Sequence, residues 1–173
     1  MNIALIGYRG TGKSVVGMIA AERLQMKYIG MDATIVEKAG MSIPEIVEKK
    51  GWTAFRDIES EVVKELAPMN NIVIDTGGGV IERSENINVL NANSCIIWLK
   101  ASKSTIVKRI QGDTERPSLT GQKSFTDEVE EVLERRTPIY KNAAQYEIDT
   151  NQLTPEQVAD RIIEIWDVVK SGK

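Results

Sequence analysis

The sequence predicts an α/β fold, a parallel sheet covered by helices on both faces. Two observations carry that prediction. Five short apolar runs of strand character alternate with helix-patterned segments through the whole chain, the order from which parallel sheets are built. The first run, Asn2-Ile-Ala-Leu-Ile-Gly7, passes through a glycine-containing turn into Val15 to Leu24, where apolar residues recur at helical spacing. In such folds ligands bind at the carboxyl ends of the strands.

The remaining elements follow in order. Lys27-Tyr-Ile-Gly-Met31 is a short apolar strand ending at Asp32, and Ala33 to Ala39 is a short helix stopped by Gly40. From Ser42 the pattern is helical again, with a serine cap and Pro44 in the first turn. Gly51 breaks that helix and Thr53 to Ala67 resumes it. Asn71 to Asp75 is a strand running into Thr76-Gly-Gly-Gly79. Arg83 to Leu90 is a helix, Ser94 to Leu99 a strand, and Ser102 to Ile110 a serine-capped helix. Gln111 to Ser124 is polar and loop-like. Asp127 to Tyr140 is helical, Tyr146 to Asp149 a strand, and Pro155 to Val169 a closing helix.

The turn after the first strand reads Gly7-Tyr-Arg-Gly-Thr-Gly-Lys-Ser14, which fits the spacing G-x-x-x-x-G-K-[ST] of a phosphate-binding loop. Backbone N–H groups of Gly10, Thr11, Gly12 and Val15 can turn toward phosphate oxygens where a helix N-terminus adds positive potential. Lys13 would reach the terminal phosphates and the Ser14 hydroxyl would hold Mg²⁺. The chain is therefore expected to bind a nucleoside triphosphate. Asp75, at the tip of an apolar strand, fits the carboxylate near such a metal and its water shell. A turn-capping aspartate is the plainer reading. The glycines after it suit a backbone that approaches a ligand closely.

Three arginines are harder to read. Arg56 sits three residues before Glu59, and Arg136 follows Glu128, Glu130, Glu131 and Glu134; taken alone, both read as salt-bridged, solvated helix faces. Arg116, before Pro117 in the polar loop, fits a cationic cover that excludes water from a transferring phosphoryl group.

Bulk properties bound the rest. With 173 residues, one domain spanning 1–173 is expected. The net charge of −3, from 22 basic and 25 acidic residues, argues against a nucleic-acid surface built on bulk charge. No apolar run approaches a membrane span, and the first strand begins without a signal segment. The single cysteine, Cys95, lies in an apolar run and reads as a small core residue. These features make a cytoplasmic monomer the expectation.

The motifs together resemble the shikimate kinase family, over nearly the whole chain. The phosphate loop is common to many families. Phe55-Arg-Asp57 ahead of Glu59, Gly77-Gly-Gly79, Arg116-Pro117, Arg136-Thr-Pro-Ile-Tyr140 and Ile148-Asp-Thr-Asn-Gln-Leu-Thr-Pro155 are more specific, and they occur in the family's order. The resemblance implies a three-layer P-loop kinase core with strand order 2-3-1-4-5, a substrate-binding region about 32–61 and a lid about 112–124. It implies transfer of the ATP γ-phosphoryl group to the 3-hydroxyl of shikimate, with Mg²⁺. Arg56 and Arg136 would clamp the substrate carboxylate, Asp32 would orient the attacking hydroxyl, and Gly78 and Gly79 would face substrate and γ-phosphate. Arg116 would close over the phosphates, while Arg109 and Pro155 would sandwich the adenine.

Two positions depart from the family pattern. Gly30 stands where the first of two aspartates is usual, and Asp75 is the candidate to supply that carboxylate to the metal's water shell. Val47 stands where a phenylalanine commonly lines the substrate pocket, and Trp52 is the candidate to fill the space. Competing readings are another small-molecule P-loop kinase, gluconate- or nucleoside-monophosphate-kinase-like, or a nucleotide-binding module that has lost catalysis through Gly30. The first lacks a reason for the two-arginine carboxylate anchor, and against the second stand Lys13, Ser14, Asp32 and Arg116.

Overall fold

Five strands, β1 (Asn2–Ile6), β2 (Lys27–Gly30), β3 (Ile72–Asp75), β4 (Ser94–Lys100) and β5 (Tyr146–Asp149), pair in parallel in the order β2-β3-β1-β4-β5. The computed structural model describes residues 1–111 and 125–172. Among these, the helices are α1 (Lys13–Arg23), α2 (Met31–Ala39), α3 (Ile43–Leu66), α4 (Ser84–Asn91), α5 (Lys103–Ile110), α6 (Phe125–Ala143) and α7 (Pro155–Ser171), with one 3₁₀ turn at Val80–Glu82. Strand order and connectivity are those expected of the sequence.

The sheet separates two apolar layers because side chains alternate along each strand. Ile3 and Leu5 of β1 pack with Val16 and Ala20 of α1 and with Ile162 and Trp166 of α7. Ala4 and Ile6 point the other way, onto Met31 of α2, Val62 of α3 and Leu90 of α4. Both sets are buried, which is why β1 reads as a continuous apolar run. Cys95 joins the first layer and is buried, as expected.

Helix boundaries follow their caps. Ser42 opens α3 with a capping box: its hydroxyl accepts from the Glu45 N–H while its own N–H donates to Glu45 Oε2 at 2.9 Å. Thr154 and Gln157 do the same for α7. Gly51 interrupts α3 with φ 82° and ψ 169°, a conformation that L side chains rarely adopt. The arm after this kink carries Trp52, Phe55, Arg56 and Glu59 at helical spacing, all lining one pocket. Several boundaries differ from expectation, α6 among them, which extends past Asp127 and Tyr140 at its two ends. Gly30, in extended backbone, caps α2 directly, so Asp32 lies in that helix's first turn rather than in a loop. The 3₁₀ turn before α4 carries no capping residue that would announce it.

Candidate active site

The loop between β1 and α1 brings the phosphate-binding candidates together at the sheet's carboxyl end. Gly12 caps α1, so Lys13 and Ser14 are its first two residues. Lys13 is 7% exposed, and its Nζ donates to the carbonyls of Gly7 at 2.8 Å and Tyr8 at 3.1 Å. Thr11 is buried and its hydroxyl donates to the Tyr8 carbonyl, fixing the turn. Val15 is half exposed beside the loop. Arg109 of α5 reaches back to the Gly10 carbonyl at 3.2 Å and to Thr150, through its hydroxyl at 3.1 Å and its carbonyl at 3.0 Å. The sequence-predicted adenine site thus has Arg109 tied to the start of the Thr150–Pro155 segment, with Pro155 exposed at the first turn of α7.

Asp75 pairs in register with Leu5 on one side and Gly30 on the other. Its carboxylate is nearly buried, and Oδ2 accepts from Ser14 Oγ at 2.6 Å and from the Tyr28 hydroxyl at 2.9 Å. No salt bridge to Asp75 occurs among the described residues. A buried carboxylate beside the loop serine, without a salt bridge among the described residues, fits a hydrated Mg²⁺. No cluster of three or more His, Cys, Asp or Glu side chains that could hold a metal ion occurs among the described residues.

Next to the loop lies an open pocket enclosing about 490 Å³ of space, its mouth included. Asp32, Arg56, Gly77, Gly78, Gly79 and Arg136 all line it, with Tyr8, Arg9, Trp52, Phe55 and Glu59. Arg56 Nη1 donates to Glu59 Oε2 at 2.6 Å, and its guanidinium lies 5.0 Å from the Phe55 ring and 5.6 Å from the Trp52 ring. Glu59 is fully buried, and burial pushes its carboxyl above the usual range although Arg56 opposes the shift. Its other oxygen, Oε1, is buried with no hydrogen bond among the described residues. Arg136 is 3% exposed; its Nε donates to Glu82 Oε1 at 2.7 Å, an oxygen that Arg135 Nη2 also reaches at 2.8 Å.

These contacts correct the reading of both arginines as solvated helix faces. Arg56 does pair with Glu59, but inside a pocket. Arg136 pairs with none of its helix neighbours in the described ion pairs; its partner comes from the 3₁₀ turn. The glycine triplet is explained in part by the same side chains. A Cβ on Gly79 would stand 2.1 Å from Arg56 Nη2, and one on Gly77 would stand 2.8 Å from Glu59 Oε1. The Gly78 carbonyl accepts from the Tyr140 hydroxyl, one helical turn beyond Arg136. Trp52 lines the pocket as expected and meets Phe55 edge-on at 5.7 Å, whereas Val47 packs against the core. Tyr8, Arg9, Glu59 and Glu82 belong to the site without having been singled out as site residues. Arg116 and the expected lid over 112–124 lie outside the described residues.

The family model "Shikimate kinase" matches residues 9–167. The shikimate kinase of Thermodesulfovibrio yellowstonii is 41% identical over 172 residues, covering 99% of this chain and 98% of the relative. A solved structure of shikimate kinase from Acinetobacter baumannii in complex with shikimate superposes with a TM-score of 0.91 at 33% identity, over 99% of this chain and 94% of that one. The Aquifex aeolicus enzyme gives 0.85 at 31% identity, with 100% of both chains covered. The family match displaces the gluconate-kinase, nucleotide-kinase and non-catalytic alternatives. By sequence and by strand order, the chain belongs to the shikimate kinase family.

Proposed function

We infer that this chain transfers the ATP γ-phosphoryl group to the 3-hydroxyl of shikimate, giving ADP and shikimate 3-phosphate, and that the residues described above carry the reaction. The observation that carries the assignment of roles is the pair of guanidiniums, Arg56 and Arg136, in one pocket beside the phosphate loop. A planar guanidinium pairs bidentately with a carboxylate, and two of them fix both position and tilt of a small ring acid. Glu59 and Glu82 hold the two side chains in place before substrate arrives, so little ordering remains to be done on binding.

Asp32, at the first turn of α2 and in the same pocket, accepts a hydrogen bond from the attacking hydroxyl and aims it at the γ-phosphorus. The hydroxyl oxygen forms the new P–O bond as the bond to ADP's bridging oxygen breaks, with charge spread over the γ-oxygens, and the hydroxyl proton passes to Asp32 and from there to solvent. Lys13 Nζ exchanges its contacts with the Gly7 and Tyr8 carbonyls for the β- and γ-phosphates. Backbone N–H groups of Gly10, Thr11, Gly12 and Val15 face the phosphates, and those of Gly78 and Gly79 face the acceptor. Arg109 and Pro155 flank the adenine. Bound Mg²⁺ would neutralise charge on the β- and γ-oxygens, with Ser14 as ligand and Asp75 on its water shell. Positioning and charge neutralisation supply the rate.

The same reading makes the 173 residues one domain, with the substrate region about 32–61. It takes the enzyme as a monomer acting in the cytoplasm, where ATP is at hand. Among the described residues no helix is long and apolar enough to cross a membrane.

The test is ADP release with ATP and Mg²⁺, comparing shikimate, gluconate and nucleoside monophosphates. Turnover on shikimate alone, lost in Lys13→Ala, supports the reading. Turnover on another acceptor, with none on shikimate, overturns it.

A further inference from the structure

Gly30 is not glycine for the sake of its backbone: φ −87° and ψ 118° are ordinary extended values. What crowds the position is Tyr28, two residues earlier on the same face of β2. A Cβ on Gly30 would stand 3.3 Å from the Tyr28 hydroxyl and 3.8 Å from ring atoms Cε1 and Cζ. The other edge of the ring crowds Gly17 of α1, where a Cβ would stand 3.1 Å from Cε2 and 3.4 Å from Cδ2. Two glycines on two elements thus form a slot that the tyrosine ring fills. The ring's hydroxyl then meets Asp75 Oδ2, the oxygen that also accepts from Ser14. Asp75 Oδ1 takes no hydrogen bond from the described residues.

We propose that Tyr28 is a positioning residue of the metal site: seated between Gly17 and Gly30, it holds the Asp75 carboxylate with Oδ2 toward Ser14 and Oδ1 open to the water shell of a bound divalent cation. Both hydroxyls converge on one oxygen, so the carboxylate cannot rotate without breaking two hydrogen bonds. Gly30 serves this arrangement by leaving room for the hydroxyl, and its β3 register partner carries the charge. The proposal rests on the reading of Asp75 given above.

The probe is Mn²⁺ binding to the protein–ADP complex, read as the loss of the free-ion signal in electron paramagnetic resonance, with metal-free ADP affinity measured alongside. Asp75→Ala is expected to weaken Mn²⁺ about tenfold or more. Tyr28→Phe, which keeps the ring and removes one hydrogen bond, is expected to weaken it about three- to tenfold, with metal-free ADP affinity unchanged. Gly30→Ala presses on the same hydroxyl from the other side, which must give by a few tenths of an ångström, and should weaken Mn²⁺ in the same direction by no more than Tyr28→Phe. The Tyr28→Phe/Gly30→Ala double variant should be no weaker than Tyr28→Phe, since the hydroxyl that the methyl presses on is gone. An effect of Asp75→Ala with none of Tyr28→Phe overturns the role of Tyr28 and leaves Asp75 standing. Additive effects of Tyr28→Phe and Gly30→Ala overturn the slot. An Asp75→Ala variant with unchanged Mn²⁺ affinity overturns both readings.

Discussion

Arg136 Nε and Glu82 Oε1 meet at 2.7 Å across 54 residues of sequence, joining the middle of α6 to the 3₁₀ turn that follows the glycine triplet. The guanidinium is nearly buried, so this carboxylate determines where one half of the proposed clamp points. Glu82→Ala should therefore raise the KM for shikimate about tenfold, the worth of one hydrogen bond to a charged group. The KM for ATP should stay put. Glu82→Gln keeps a carbonyl acceptor and should recover most of the loss. Steady-state kinetics on the three proteins checks this.

Asp75 is expected to act on the metal rather than on the acceptor. Asp75→Ala should lower turnover and raise the Mg²⁺ concentration needed for half-maximal rate, each about tenfold or more. Shikimate affinity, measured by titration calorimetry, should change far less. A Mg²⁺ response equal to that of the unaltered enzyme removes Asp75 from the site.

Gly79 is where the backbone and Arg56 come closest. Gly79→Ala places a methyl 2.1 Å from Nη2 of Arg56, an overlap worth about 1–3 kcal/mol if the guanidinium must shift. The variant should show a raised KM for shikimate with ATP binding intact. In an Arg56→Ala background the same substitution should add nothing, because the clash is gone. Kinetics on the single and double variants separates this from general misfolding.

Burial pushes the Cys95 thiol from 9.0 up to about 11. A raised pKa in the folded state contributes stability that is fully present below the unfolded value and lost as pH rises through about 11. The unfolded chain releases this proton first, so the difference in urea midpoint between the native protein and Cys95→Ala should shrink from pH 8.5 to 11. Other titrating groups are common to both proteins and cancel in that difference.

The sheet was legible because its signals are local. Apolar runs ending at Gly7, Asp75 and Asp149, serine caps at Ser42 and Ser102, and the break at Gly51 each depend on a few neighbouring residues. The burial of Arg56 and Arg136 was not legible from residue pattern alone. A polar stripe on a helix looks the same whether it faces water or a polar pocket, and only the motif order distinguished the two. Glu82 gave no signal, since its partner lies 54 residues away on another element. Tyr28 was read as one more strand residue because its hydroxyl's partner sits on the neighbouring strand. Gly30 was read as a loss; the space around it shows what the missing side chain admits.

In the proposed site Arg56 and Arg136 hold the acceptor by its carboxylate. The direct measurement compares shikimate with its carboxamide, which keeps the ring and hydroxyls but loses the charge, as substrates of the unaltered enzyme and of Arg136→Ala. The KM for the amide should be raised by about a hundredfold in the unaltered enzyme, two charge-assisted contacts being worth about 3 kcal/mol or more, with a much smaller gap in Arg136→Ala. Equal KM values for acid and amide in the unaltered enzyme would contradict it.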